Sequence, residues 1–332
     1  MHWKFGCLAL CAASINAAEF DPDLLKDMRK LETKSDGFEL ATSINLPFSF
    51  AHSQSRLGVT SGNYVDIAGK ASSALTYQRG FHEADLVLLL AEGFSTAPSN
   101  DGFWDKSMDL LRLETRYLHH TLSWLSLFAH ARADTSIFKG YVRHDSEKAY
   151  EIRDQDDNVR ETERLKRLKL TDSFSPIFVQ ENFGVVAGLF SRDYLNIEAK
   201  TALSLRQTFA QGQLVLVKED KDQVVVRDLR TFYQAGYLLG TAFNGQLWED
   251  RIGYRAGIDI TYPFWQTPTG KKNFVDSLIV EAAAGLSLKL SSWSSLKYEY
   301  TAVRMPEILQ DFQQYHLVNL NIAFDWLYTF GG

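Results

Sequence analysis

From Gly37 to the end of the chain, apolar and polar residues alternate with a period of two. Segment 195–209 shows the pattern at full length. Leu195, Ile197, Ala199, Thr201, Leu203, Leu205 and Phe209 fall on one face, and Asn196, Glu198, Lys200, Ser204 and Arg206 on the other. Side chains of an extended strand point to opposite sides at each step, so this spacing predicts a strand with one apolar and one polar face. Soluble strands average about 5–6 residues. This alternation is longer, about the length a tilted strand needs to cross a bilayer. The same pattern predicts strands over 38–50, 65–78, 84–96, 111–117, 125–134, 177–189, 229–243, 248–262, 278–290, 296–300 and 318–328, which makes twelve in all.

The connections give an independent test. The second, fourth, sixth, eighth and tenth read RGFHE, HHT, SRD, NGQ and SSWSS, all short. The others are longer: SQSRLGVTSGN, APSNDGFWDK, the segment 137–171, AQGQLVLVKEDKDQV, PFWQTPTGKKN and MPEILQDF. An even strand number with short turns on one side and long loops on the other is expected of a bacterial outer-membrane barrel. Trp248, Tyr262, Phe264, Trp265, Trp293, Trp326 and Tyr328 lie near predicted strand ends, where interfacial girdles sit. The fold class expected is therefore all-β: a closed antiparallel transmembrane barrel over 37–330, in the outer membrane of a Gram-negative cell and in contact with its lipid.

The N-terminus reads differently. Lys4, the apolar run 7–15 and the small residues Ala17 and Ala18 form a secretory signal peptide over 1–18, too short to span a membrane. Cleavage is expected after Ala17 or Ala18; a lipid anchor on Cys11 is the rival reading, with the bulky Leu10 before it as the objection. Residues 19–36 carry Leu24, Leu25, Met28 and Leu31 on one helical face, with Asp21 and Pro22 suited to its start. This short periplasmic helix either plugs the lumen or lies outside it. Both cysteines, Cys7 and Cys11, fall in the signal segment, so no disulfide or cysteine metal site is expected in the mature chain. The net charge of -6 gives a nucleic-acid partner no electrostatic support.

Two resemblances add to this reading. HLVNLNIAFDWLYTF, ending at Phe330, resembles the C-terminal signal of outer-membrane barrels, although Gly331 and Gly332 follow where that signal usually ends on the aromatic. It implies the barrel-assembly machinery as a partner, through the last strand. FWDKSMDLLRLETRY, TSIFKGY and SPIFVQENFG occur in an order similar to that of an uncharacterised family of bacterial outer-membrane barrels. That family has no established catalytic residues to carry over.

The candidate chemistry is on the inward faces. By parity Arg112, Glu114, Arg116, Arg132, Glu198, Lys200, Arg206, Arg230, Arg251, Arg255 and Glu281 point into the lumen, as do Asp134, Glu249, Asp259 and Glu299. They line a porin-like channel for small polar solutes, or they close the lumen with ion pairs that satisfy one another. A sealed barrel would act as a structural or ligand-binding protein through its external loops. The mixed signs argue against strong ion selectivity. HSQSR at 52–56 and HDSE at 144–147 hold Ser and His without the spacing of a nucleophile and its base, so no enzyme is expected. His119 and His120 read as solvated turn residues that would face opposite ways, which suits a shared metal badly. DQDDN at 154–158 fails as a calcium loop, with Val159 where glycine belongs and Leu165 where glutamate does. No cofactor or metal is expected. The loop 137–171 is charge-dense and reads as a solvated segment, a binding surface or a lid, and RETERLKRLKL within it as a short helix with Glu163 and Arg167 one turn apart.

Overall fold

The computed structural model describes residues 36–54, 62–96, 105–154, 158–192, 194–219, 223–248, 250–267, 277–305 and 309–330. The expected signal segment, nearly all of the expected N-terminal helix, Glu249 and the closing glycines lie outside the described residues. The strands in chain order are β1 (Gly37–Gln54), β2 (Gly62–Arg79), β3 (His82–Thr96), β4 (Asp105–Leu122), β5 (Leu125–Thr135), β6 (Gly140–Arg153), β7 (Val159–Thr171) and β8 (Ile177–Arg192). They continue as β9 (Leu195–Phe209), β10 (Leu214–Glu219), β11 (Gln223–Asp228), β12 (Phe232–Leu247), β13 (Ile252–Thr267), β14 (Ile279–Lys289), β15 (Ser294–Met305) and β16 (Leu309–Phe330).

Twelve of them close a barrel in the order β1-β16-β15-β14-β13-β12-β9-β8-β5-β4-β3-β2. These are the twelve segments the alternation predicts. The seam is antiparallel and unbroken from Phe38 opposite Phe330 to Gln54 opposite Gln314, so the barrel has no free edge. The parity comes out as expected: Ile44, Leu46, Phe48, Leu203, Leu205, Tyr237, Leu239, Ile258 and Ile260 are exposed on the outer face, while the residues between them are buried or half-buried. In water such a surface would drive aggregation; in hydrocarbon it is the ordinary outside of a membrane barrel. Phe264, Trp265, Trp248, Trp293, Trp326 and Tyr328 are exposed at strand ends. Tyr237 and Phe264 are in ring contact at 4.8 Å, and Phe209 and Tyr233 at 5.9 Å, on the same side of the barrel. At the opposite, short-turn end, the backbone N–H of Gly80 donates to Asp36 Oδ1 (3.2 Å), fixing the β2–β3 turn to the residue that precedes β1.

Two of the tight turns fall a few residues later than the sequence suggests. The β4–β5 turn is Ser123–Trp124, which leaves His119 and His120 in β4 instead of in a turn. They do face opposite ways: His119 lies against the ring of His82 on the outer face (5.0 Å), and His120 Nδ1 contacts Ser126 Oγ (2.9 Å). The β12–β13 turn includes Trp248, Asp250 and Arg251, with Trp248 and Asp250 in the left-handed region (φ 55° and 66°).

The remaining four strands overturn the reading of the long external loops. Segment 159–171 is strand β7, not a helix, and the connection between β9 and β12 holds the hairpin β10–β11. They form one mixed sheet in the order β10-β11-β6-β7, with β11 parallel to β6. The i,i+4 charges of RETERLKRLKL favour a helix in isolation, but Leu165, Leu168 and Leu170 find an apolar core only when β7 pairs with β6. That core comprises Val142, Tyr150, Ile152, Leu170, Leu216, Val224 and Val226. Arg160 pairs with Asp228 (2.6 Å), Gln223 donates to Glu151 (2.6 Å), and the Asp172 N–H donates to Gln213 Oε1 (2.8 Å). The two insertions are thus one cap. Its surface charges act on each other: the Lys169 ammonium, bonded to Asp172, holds that carboxyl below the usual range, and Glu161 beside Glu163 pushes Glu163 up.

Candidate functional site

The inner wall is built from the polar halves of the alternating strands, and its charges are paired across strands. Arg112 on β4 and Asp134 on β5 are direct cross-strand partners and form a two-pronged bond, Nε–Oδ1 2.8 Å and Nη2–Oδ2 3.2 Å. Both side chains are almost wholly buried, and Arg132 reaches the same carboxylate at 3.2 Å. Arg116 bonds Asp85 on β3 through Nε (2.8 Å) and Glu83 through Nη2 (2.9 Å), while the Thr76 hydroxyl donates to Asp85 (3.0 Å). His130 sits between Glu114 (2.9 Å) and Asn182 (3.1 Å).

On the opposite wall, pairs skip a strand, and a glycine makes room for each. Lys200 on β9 reaches Asp259 on β13 at 2.7 Å, passing over Gly240 of β12, which is the register partner of both. Arg255 on β13 reaches Glu299 on β15 at 2.9 Å over Gly285 of β14. A Cβ on Gly240 would collide with Asp259 Oδ1 and Lys200 Cε, and one on Gly285 would lie 2.6 Å from Arg255 Nε. Gly240→Ala should therefore break the Lys200–Asp259 pair while leaving the outer belt intact. The half-exposed pair should contribute at most about 1 kcal/mol, so the change should appear as altered lumen accessibility in solvent-exchange measurements. A loss of folded barrel would show that the glycine is needed for more than the pair.

The charges also reach across the barrel. Arg206 on β9 bonds Glu281 on β14 at 2.6 Å, and Arg132, on the far wall five strand positions away, is near enough to act on the Glu281 carboxylate. Arg112, Asp134 and Arg132 on one wall and Glu281 and Arg206 on the other thus form a lattice of charges that faces the lumen towards its cap end. Accessibility falls from the middle of this wall towards the cap. The Lys200 and Asp259 side chains are 34% and 28% exposed, whereas Arg206 and Glu281, nearer the cap, are 10% and 12%. Above them Ala210, Val215 and Leu229 of the cap root pack on Ile279, Val303 and Met305 of β14 and β15, with Phe178 of β8 against the same cluster. β8 and β15 are five positions apart around the barrel. This apolar floor therefore crosses the mouth. The middle of this wall is therefore its most open level: towards the cap it is dry, and towards the short turns Arg255 and Glu299 are again less open, at 20% and 16%.

Arg112, Glu114, Arg116, Arg132, Glu198, Lys200, Arg206, Arg255 and Glu281 stand on the inner wall, each in a side-chain bond or ion pair there. Two of the proposed lining residues stand elsewhere. Arg251 is exposed in the β12–β13 turn, and Arg230 lies in the link before β12, because both predicted strands begin earlier than the real ones. Leu229, the first residue of the predicted strand 229–243, is in the floor under the cap. Glu83, Asp85 and His130 complete the wall network and were not singled out by the sequence, nor were Gly240 and Gly285. Inward parity of the last two becomes a signal only beside the ion pairs that pass over them. Among the described residues no cluster of three or more His, Cys, Asp or Glu side chains suits a metal.

No protein-family model matches the chain, and no curated protein does. Solved structures of barrels do. The translocator domain of the autotransporter NalP from Neisseria meningitidis aligns over 95% of this chain and 98% of its own, at 10% identity and a TM-score of 0.44. An outer membrane channel from Pseudomonas putida F1 aligns over 88% and 97%, at 8% identity and a TM-score of 0.44. The Pseudomonas putida toluene transporter TodX aligns over 98% of each, at 10% identity and a TM-score of 0.38. At these values the likeness is one of architecture, and the functional reading rests on the geometry above.

Proposed function

We propose that the protein is an outer-membrane channel for small polar solutes, held shut at its outer mouth by the cap. One observation carries the reading: the charged inner wall is water-accessible at the Lys200–Asp259 level and becomes dry at the Arg206–Glu281 level beneath the apolar floor. A barrel meant only as a sealed anchor has no need of a wet level lined by ionised groups, since buried ion pairs are seldom better than apolar packing for stability. Charges of both signs lie close together, so neutral and dipolar solutes should pass more readily than ions of either sign.

Single-channel recording of the refolded mature protein in a planar bilayer tests this. The wild type should give rare, short conductance steps. Removing the hairpin 142–169 should make them frequent, and Arg206→Glu or Arg255→Glu should change their size and ion preference. Silence from both the intact and the hairpin-deleted protein, each folded, would sink the channel. The second reading, a closed barrel that binds through its external sheet, would then stand, because the cap has an apolar core of its own.

A further inference from the structure

The outer face carries a row of basic side chains at its short-turn rim. Arg79 on β2 is opposite His82 on β3, and His82 is opposite His119 on β4. All three share the outward parity of Leu75, Leu86 and Tyr117, which are exposed on the outer belt of the same strands. The β2–β3 turn follows Arg79 directly, so the row stands at the end of the belt. Short turns of such barrels are periplasmic, which puts the row level with the headgroups of the inner leaflet. Elsewhere on this rim Phe38, Tyr328, Leu247 and Leu288 are exposed at outward places.

The chemistry of the row selects an anion. The Tyr117 hydroxyl holds His82 Nδ1 (2.6 Å), which leaves Nε2 as the remaining polar atom of that ring. His119 lies against the His82 ring at 5.0 Å. Asp36, on the same rim, is bonded to the Gly80 N–H, and no carboxylate is paired with Arg79 among the described residues. Two imidazoles beside a guanidinium make a poor cage for a metal ion, which needs more ligands and no neighbouring positive charge. A phosphate oxygen suits all three groups. On the membrane side of the row, the register puts Ala84 between Tyr77 and Tyr117, and the Tyr77 ring is packed on Phe38 (4.8 Å). A methyl group between two rings leaves a furrow along β3, running from His82 towards Leu86. The basic row is thus continuous with an apolar slot that heads into the hydrocarbon.

We propose that Arg79, His82 and His119 hold the phosphate of an anionic glycerophospholipid of the inner leaflet, with one acyl chain lying over Ala84 between Tyr77 and Tyr117. Arg79 meets the charge, and His82 Nε2 donates to a phosphate oxygen. The row offers no carboxylate to a headgroup amine, so phosphatidylglycerol is preferred to phosphatidylethanolamine. The site is independent of whether the lumen conducts.

Native mass spectrometry of the refolded mature protein in detergent, titrated with each of these two lipids, tests the site. Phosphatidylglycerol should bind the more tightly. Arg79→Gln should weaken its binding about fivefold, the effect of one basic side chain at an anionic lipid. Ala84→Phe, which fills the furrow and changes no charge, should weaken it as well. Arg251→Gln, which removes a rim cation from the far side of the barrel, should not. Heat-modifiable mobility on gels reports whether each variant is folded, and Arg79→Gln, at an exposed position, decides the matter if Ala84→Phe does not fold. Equal binding of the two lipids would overturn the site. So would equal losses from Arg79→Gln and Arg251→Gln, which would leave only the general attraction of a basic rim. Zinc chloride that displaces the lipid from the wild type but not from His119→Gln would assign the row to a metal instead.

Discussion

Asp134→Ala should lower the unfolding free energy of the barrel by about 3–5 kcal/mol, the cost of removing one partner of a buried ion pair. Asp134 is 1% exposed, and two guanidinium groups converge on it, those of Arg112 and Arg132. The substitution removes the two-pronged acceptor of Arg112, itself 2% exposed, and leaves its charge in a dry part of the wall. Urea titration of the protein in lipid vesicles, followed by tryptophan fluorescence, measures the loss. The paired change Arg112→Leu with Asp134→Leu removes both charges and should cost much less than the single change, because a buried ion pair contributes little net stability over apolar side chains of similar volume. A loss below about 1 kcal/mol for Asp134→Ala would place the pair among water-screened surface pairs. The lattice would then be open to solvent, and the dry end of the lumen with it.

The barrel was legible because its side-chain period is two and its outer face must be apolar along every strand. Segment 195–209 carries both signals without interruption, and β9 has those same limits. Arg206 and Glu281, placed inward by parity alone, are bonded to each other over the two strands between them. Parity does not carry through turns. Arg251 and Arg230 were misplaced because the polar pattern of β12 and β13 continues a few residues into segments that are not strands, and only the backbone reversal at Trp248 and Asp250 marks the turn. The cap was missed for a different reason. LVLVKE and QVVVRD, on either side of a charged turn, carry a hairpin signature in their β-branched runs, yet they sat inside a connection already taken as a loop. β7 has no such signature. Its leucines at 165, 168 and 170 fit neither period cleanly, and its identity as a strand comes from pairing with β6, a contact no local pattern records. The glycines could be read only once the ion pairs passing over them were known, since Gly240 and Gly285 matter for the room they leave.

Leu229→Asp should hold the channel open. Leu229 belongs to the floor that joins the cap root to β14 and β15, and it enters that floor on a backbone bond from its N–H to the Gln213 carbonyl (2.7 Å). An aspartate there must either lose its charge or leave the cluster, at a cost of about 3 kcal/mol for a polar group without a partner. The wall residues Ile279 and Val303 are held in barrel ladders, whereas Ala210 and Leu229 of the cap root stand outside any strand, so the cap root is the side that gives way. Leaving the cluster therefore lifts the cap root. A shift of that size moves the ratio of shut to open forms by about a hundredfold, which turns rare conductance steps into nearly continuous ones. Val303→Asp attacks the same contact from the wall and should give the same phenotype, and the double change should add little, as expected for two residues acting through one interface. Val159→Asp, at an exposed position on the cap, should leave the recording unchanged. If Leu229→Asp is folded and its trace matches the wild type, the floor does not gate the barrel. The dry end of the lumen would then owe its closure to the ion lattice alone, and Arg206 and Glu281 would become the residues to change.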